Sequence, residues 1–297
     1  MIKIATILTC FNRRELTLSC LRSLFENVDR HNKKGDNAIA IAVFLTDDGC
    51  TDGTGEAVMK AFPEQKITIL QGTGNLYWAG GMRLAWSEAI KDKWDYYLLL
   101  NDDTELLPNL FDELFQTMEY SKKKFGKEGM VTGLTSAKDN YTQTTYGGGV
   151  RFKKTRLHNA SLSPDEPRLV DVTNANILLI NQAVVEKLGI FYEGFRHGNA
   201  DYDYALHAGR AGFPVLITAN YCGRCDHDHD SFEQYRDKIL SMDFQQRKAY
   251  LNHPIRSSKD YLTFIRRNAP MRYPIVAFGR WLNLYFPKIY YWLYSKR

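Results

Sequence analysis

Two pairs of adjacent acids stand at the ends of apolar runs. Asn101-Asp102-Asp103 follows Tyr96-Tyr97-Leu98-Leu99-Leu100, and Asp47-Asp48-Gly49 follows a run from Ile39 to Leu45. Runs this short, bounded by polar residues, read as strands buried on both faces. Adjacent carboxylates repel each other unless a positive group lies beside them, and a divalent cation is the economical solution. Ligands of open α/β sheets bind beyond the carboxyl ends of the strands. The two acid pairs could therefore line one cleft, with carboxylates suited to the hydroxyls and imide N–H of a nucleoside and to a metal on a diphosphate. The plainer alternative is a pair of turns, since Asp-Gly is a common turn dipeptide and the stretch after Leu100 could be an Asx-rich turn capping a helix from Pro108.

Other segments sharpen the choice. Thr9-Cys10-Phe11-Asn12-Arg13 follows the first apolar run, and Asp47 to Thr54 reads Asp-Asp-Gly-Cys-Thr-Asp-Gly-Thr. Together with Asn101-Asp102-Asp103 they resemble the family 2 glycosyltransferases of GT-A fold, whose Asp-x-Asp metal motif has an Asn-Asp-Asp variant. The resemblance covers roughly residues 2 to 225. Gly74-Asn75-Leu76-Tyr77-Trp78-Ala79-Gly80-Gly81-Met82-Arg83 is further similar to the branch that includes rhamnosyltransferases of bacterial polysaccharide synthesis.

The resemblance implies a role for each matched position. Asp48 would bind the base and Phe11 pack on it, with a main-chain contact from Thr9. Asn75 and Arg83 would lie near the nucleotide, and Asp102 would approach the ribose. Asp103 would hold Mg2+ or Mn2+ on the diphosphate, where the ion acts as Lewis acid and template. Asp201, in His197-Gly198-Asn199-Ala200-Asp201-Tyr202-Asp203, matches the family's base, which deprotonates the acceptor hydroxyl. Ala200 stands where the family usually has Glu, and His207 where Arg is common. At a helix N-terminus Asp201 is expected to stay ionised, at some loss of basicity; a plain helix cap is the alternative. In Cys222-Gly223-Arg224-Cys225-Asp226-His227-Asp228-His229, either His229 or His227 could complete the metal's shell, as in some relatives. A structural zinc site and an ordinary loop are the other readings of that cluster, whose spacing is cramped for zinc.

The elements needed to position these residues are legible. Strands are expected at Ile2–Thr9, Ile39–Leu45, Ile67–Leu70 and Tyr96–Leu100. Helices are expected at Glu15–Asn27, Gly55–Phe62 and within Leu76–Ile90. This alternation predicts a parallel, doubly wound sheet. Gly80-Gly81 would let a ligand or another backbone approach closely. A helix is expected from Pro108 to Phe125 and strands near Met130–Leu134, Val170–Val172, Asn176–Ile180 and Val215–Thr218. Short helices follow Gln182 and Asp201. The expected fold class is α/β, and the resemblance implies a GT-A domain over residues 1–228 with a C-terminal helical extension over 229–297.

The chain has 297 residues and a net charge of +5. From Ser231 onward, 13 Lys and Arg face 4 Asp and Glu, so the body is mildly acidic and the tail strongly basic. The tail also holds 15 of the 39 aromatic residues. Three helices are expected there, at Phe232–Tyr250, Lys259–Asn268 and Ile275–Tyr294. Basic and aromatic amphipathicity suits an anionic membrane surface; packing on the body or a homodimer interface are the alternatives. No nucleic-acid module accompanies the basic residues, and nucleic acid is not an expected partner. Five scattered cysteines argue against a disulfide framework. With neither a signal-peptide pattern nor an apolar run of about 18 residues, the expected setting is the cytoplasm, at the inner face of the cell membrane.

The expected activity is therefore transfer of a sugar, with inversion, from a dTDP- or UDP-linked donor to a saccharide acceptor, lipid-linked, in bacterial surface polysaccharide synthesis. A nucleotidyltransferase would want a glycine-rich phosphate loop after the first strand, where this chain has Cys10-Phe11-Asn12-Arg13-Arg14. A non-catalytic saccharide-binding protein need not keep Asp103 and Asp201 together.

Overall fold

The computed structural model describes residues 1–35, 37–152, 156–159, 166–226, 231–256 and 258–294. The N-terminal part alternates strand and helix: β1 (Ile2–Cys10), α1 (Arg14–Lys33), β2 (Ile39–Asp47), α2 (Thr54–Ala61), β3 (Ile67–Gln71), α3 (Tyr77–Ala89) and β4 (Tyr96–Leu100). The four strands are parallel, β1 lying between β2 and β4, with β3 outside β2. β1, β2 and β4 are buried on both faces because their side chains alternate between two helical layers, while the edge strand β3 is only partly covered. Ile4, Leu8, Val43, Leu45, Leu98 and Leu100 share a core with residues of α1, α2 and α4. Ala5, Ile7, Ala42, Phe44, Tyr97 and Leu99 share the opposite core with Met82, Trp86 and Tyr204.

The middle of the chain contributes β5 (Glu105–Leu106), α4 (Leu110–Phe125), β6 (Met130–Ser136), β7 (Thr144–Tyr146), β8 (Gly148–Phe152), β9 (Arg156–Asn159), β10 (Arg168–Leu169), β11 (Val172–Thr173), β12 (Ile177–Asn181), α5 (Gln182–Leu188), α6 (Ala200–Arg210) and β13 (Val215–Arg224). Strand β12 inserts antiparallel beside β4, with Ile177 opposite Leu100, so this part extends the same sheet. The main path runs β10-β13-β6-β12-β4-β1-β2-β3, with β5 on β13 and β7 on β6. Strand β13 runs six residues past its expected end at Thr218. Two register shifts against β6 carry it on to pair Arg224 with Glu105. Such irregularities re-aim the residues that follow, here Cys225, toward the end of β4.

The tail folds as α7 (Phe232–Ser241), α8 (Phe244–Asn252), α9 (Ser258–Asn268), α10 (Tyr273–Tyr285) and α11 (Pro287–Tyr294). Both breaks absent from the sequence reading have local causes. A capping box of Asp243 with Gln246 restarts the helix after Met242. Pro287 cannot continue α10, and it opens α11 instead. The tail divides between two cores. Phe264 and Ile265 of α9 belong to the core around Trp86, Phe191 and Tyr204. Ile239, Leu251 and Tyr291 form a small separate cluster.

Candidate active site

The ends of β1, β2 and β4 meet at one edge of the sheet. The N–H of Asp48 donates to the carbonyl of Cys10 (3.0 Å), and that of Gly72 to the carbonyl of Asp47 (2.7 Å). Asn12, with a left-handed φ of 53°, turns its Oδ1 to accept from the N–H of Thr51 (2.7 Å). The turns after β1 and β2 are thus knitted together. Gly49 has φ 79°, and a Cβ there would stand 3.0 Å from Cα of Gly74, so this crossing admits only glycine. Phe11 lies exposed beside these turns. Thr9 packs beneath Gly81, where a Cβ would come 2.1 Å from its Oγ1. The close approach read into Gly80-Gly81 is therefore that of α3 to β1.

Asp48 is buried, with its carboxylate turned into the 72–77 loop. Oδ1 accepts from the N–H of Gly74 (2.9 Å), and Oδ2 from those of Leu76 (2.9 Å) and Tyr77 (3.0 Å). Three of its roughly four acceptor positions are filled by main chain. It anchors the loop, which differs from a carboxylate left open for a base. Arg83 likewise donates inward, to the carbonyls of Tyr192 (3.3 Å) and Phe195. Asn75 offers its carbonyl to Arg196 Nη2 (3.1 Å).

At the end of β4 each residue of the triplet has its own partners. Asn101 Oδ1 accepts from the indole N–H of Trp78 (2.8 Å), and its backbone N–H donates to the carbonyl of Asn176 (3.1 Å). Asp102 is buried and accepts from the Thr17 hydroxyl (3.2 Å) and from Arg13 Nη1 (3.4 Å). Burial pushes its carboxyl up to about 7; Arg13 opposes this and neighbouring Asp103 adds to it. Asp103 is more accessible. It accepts from Arg13 Nη1 (2.6 Å), and its other oxygen lies 3.8 Å from the Cys225 thiol. In this structure Arg13 supplies the positive charge that the acid pair requires.

Asp201 sits at the start of α6, after Asn199 in a left-handed conformation. Its Oδ2 accepts from the N–H of Ala175 (3.2 Å) and Oδ1 from its neighbour Tyr202 (2.9 Å). Burial outweighs these donors and raises the carboxyl to about 6. The helix terminus alone led to the opposite expectation; desolvation makes Asp201 a stronger base. One segment joins this acid to the triplet. Ala175 holds Asp201, the Asn176 carbonyl holds Asn101, and the Asn176 amide donates to Cys225 Sγ (3.6 Å), which touches Asp103.

Residues 6–154, about half the chain, match the family model described as glycosyl transferase family 2. The chain belongs to that family. No curated protein matches it in sequence. Among solved structures it is similar to the mannosyltransferase PcManGT from Pyrobaculum calidifontis in complex with GDP-Man and Mn2+. The identity is 17% and the TM-score 0.53, covering 95% of this chain and 70% of that one. It is also similar to residues 1–349 of S. aureus TarS, at 12% identity and TM-score 0.54, covering 95% and 79%. These likenesses show the fold: a GT-A-like α/β sheet with C-terminal helices.

Within this glycosyltransferase several site residues escaped the sequence reading. Arg13, the N-cap of α1 and the last residue of the quoted Thr9–Arg13 motif, and Thr17 in the first turn of α1 hold the acid pair, roles the motif did not state. Arg196 bridges two loops: its carbonyl accepts from the N–H groups of Ala79 (3.1 Å) and Gly80 (3.3 Å), and its guanidinium lies 4.9 Å from the ring of Tyr77. Asp260, on α9, accepts from the N–H groups of Arg196 (3.2 Å), His197 (2.7 Å) and Gly198 (3.0 Å), the turn that leads to Asp201. Asp203 accepts from Arg267 Nε (3.0 Å) and Asn268 Nδ2 (2.6 Å), also on α9. Cys222 is buried and points its thiol at Thr218 (3.5 Å), away from Asp103. His227 and His229 lie outside the described residues. Among the described residues no three His, Cys, Asp or Glu side chains gather into a metal site. A single accessible carboxylate still suits Mg2+ or Mn2+ that arrives with a diphosphate and keeps much of its water.

Proposed function

We propose that this glycosyltransferase transfers a sugar, with inversion, from a dTDP- or UDP-linked donor to a hydroxyl of a lipid-linked saccharide, in bacterial surface polysaccharide synthesis, within the rhamnosyltransferase-like branch. The observation that carries the reading is the short Ala175–Asn176 bridge. It ties Asp201, whose carboxyl burial raises to about 6, and the Asn101 that precedes the acid pair to two neighbouring residues, which supports a common site.

The nucleoside lies between Phe11 and the 72–77 loop, which Asp48 holds in shape, so that Asp48 serves the base through the loop it anchors. Thr9 contributes main chain, Asn75 and Arg83 brace the loops around the nucleotide, and Asp102 receives the ribose. Asp103, together with the diphosphate oxygens, would hold Mg2+ or Mn2+, and the ion would supply Lewis-acid stabilisation of the departing charge. The acceptor oxygen attacks the anomeric carbon in line, and its proton passes to Asp201. The bond from that carbon to the diphosphate breaks as the new one forms, and the nucleoside diphosphate leaves with the electron pair. Inversion needs no covalent enzyme intermediate, which agrees with five cysteines that are free and mostly buried.

The test is release of nucleoside diphosphate across a panel of nucleotide sugars, with Mn2+ or Mg2+, with and without lipid-linked acceptor extract. Turnover of one donor, lost in Asp103→Ala, is expected. No turnover with any donor, or full turnover by Asp103→Ala, would overturn the reading.

A further inference from the structure

Helices α10 and α11 carry apolar side chains that stay largely exposed, although Phe244 of α8 lies 5.4 Å from Tyr285. Ile275, Phe278, Trp281, Tyr285, Ile289 and Trp292 are each about half exposed or more. They fall three, four or seven residues apart within each helix, so they form a stripe on each. Ring contacts run along the α10 stripe as far as Phe286, the residue before the Pro287 break. Trp281 lies 5.7 Å from Phe278, 5.4 Å from Tyr285 and 5.6 Å from Phe286. Leu282, one heptad after Ile275, and Asn283 are buried, so the exposed face of α10 centres on Phe278, Trp281 and Tyr285. Exposed apolar surface of this extent marks an interaction site.

Charge selects the partner. After Asp260 the sequence contains no acid, while Arg266, Arg272 and Lys288 lie in α9 to α11 and their connections; Arg267 is held by Asp203 and Arg280 by Asn252. Of the acids on the packed neighbours, Asp237 pairs with Arg236 (2.8 Å) and Asp243 caps α8, while Glu233 on α7 is outnumbered by Arg236 and Lys238 of the same helix. A second copy apposed through this face would set cations against cations without an intervening carboxylate. An anionic bilayer offers what the surface lacks: negative headgroups for Arg and Lys, an acyl boundary for Ile and Phe, and the interface that Trp and Tyr prefer. No described helix is long and apolar enough to cross a membrane, so contact would be in the plane of the interface.

We propose that α10 and α11 dock the protein on an anionic bilayer through the stripe from Ile275 to Trp292. This deepens the proposed function by naming the surface that meets a lipid-borne acceptor, yet its test uses no turnover. The full chain is sedimented with phosphatidylcholine vesicles with and without phosphatidylglycerol, alongside light scattering of the protein alone. Binding to the phosphatidylglycerol vesicles is expected, weakened by salt. The double variant Ile275→Glu/Phe278→Glu should bind about tenfold more weakly or worse, and Lys288→Glu severalfold. Nucleoside diphosphate release in solution should be unchanged in both, which separates a failure of docking from a failure of the enzymatic reading. The proposal is overturned if anionic vesicles do not retain the protein. It is equally overturned if the double variant binds as well as the parent, or if light scattering finds a dimer that the double variant abolishes.

Discussion

At the scale of single residues, two carboxylates are held where ionisation is unfavourable. Burial raises Asp201 to about 6 and Asp102 to about 7. A base must be ionised to accept a proton, so transfer should be lost as pH falls through about 6, with an acid limb in kcat/KM that Asp201→Asn abolishes together with the activity. The loss in kcat for Asp201→Asn should be about 10²–10⁴-fold, with donor affinity by calorimetry unchanged; undiminished turnover would remove Asp201 from this role. Stability should move the other way. Between the unfolded value of 3.8 and the folded value of about 6, the native state holds a proton that the unfolded chain has released. Native stability is therefore lost as pH rises through that window. Asp201→Asn should be more stable than the parent at pH 7.5, by about 1–2 kcal/mol after discounting for partial exposure, and the gain should vanish near pH 4 in urea melts. A variant less stable at both pH values would show that the amide cannot keep the Ala175 and Tyr202 donors.

At the scale of elements, α9 grips the segment that carries Asp201 at two points. Asp260 takes three successive N–H groups of the 196–198 turn, and Arg267 and Asn268 hold Asp203 two residues beyond Asp201, the proposed base. Asp260 touches no reacting atom; it positions. Asp260→Asn should lower kcat by up to about 10²-fold, the scale of a misplaced reacting group, with donor KM little changed and more activity kept than in Asp260→Ala. Placed on Asp201→Asn it should add almost nothing, whereas an effect through general destabilisation would persist there. Arg267→Met strands a buried carboxylate and should cost about 3–5 kcal/mol in a thermal or urea melt, partly recovered by adding Asp203→Asn. Little of this was legible in the sequence. The strands, the acid pairs and the Gly80-Gly81 contact announce themselves through residue type and local period. Asp260 sits in an ordinary polar first turn, and its partners lie more than sixty residues away. Asp48 was recognised by its motif, but the motif does not say that the 72–77 loop claims its carboxylate. Nor does local pattern reveal that β13 continues past Thr218, because its last residues, Tyr221 to Arg224, are held by β6 and β5 and not by an apolar alternation of their own.

For the whole molecule, the question is where the catalytic body ends. Composition changes near Asp228, where the chain turns basic and aromatic, and a boundary there assigns all the aromatic residues that follow to one appendage. Packing sorts them differently. Phe264 is 8% exposed inside the core that contains Trp86 and Tyr204, whereas Phe278 is 60% exposed on the face of α10. Both are phenylalanines in short amphipathic helices of one basic tail, 14 residues apart. Their substitution should nonetheless read out different things. Phe264→Ala opens a cavity beneath the loop that carries Asp201 and should cost about 3–5 kcal/mol. Phe278→Ala removes a side chain mostly in water and should stay within about 0.5 kcal/mol of the parent. Urea melts of the two variants, with nucleoside diphosphate release measured on the same preparations, decide the matter. If α9 belongs to the catalytic body, only Phe264→Ala loses stability and activity together. Equal small effects at both positions would place α9 outside that body and return the boundary to residue 228.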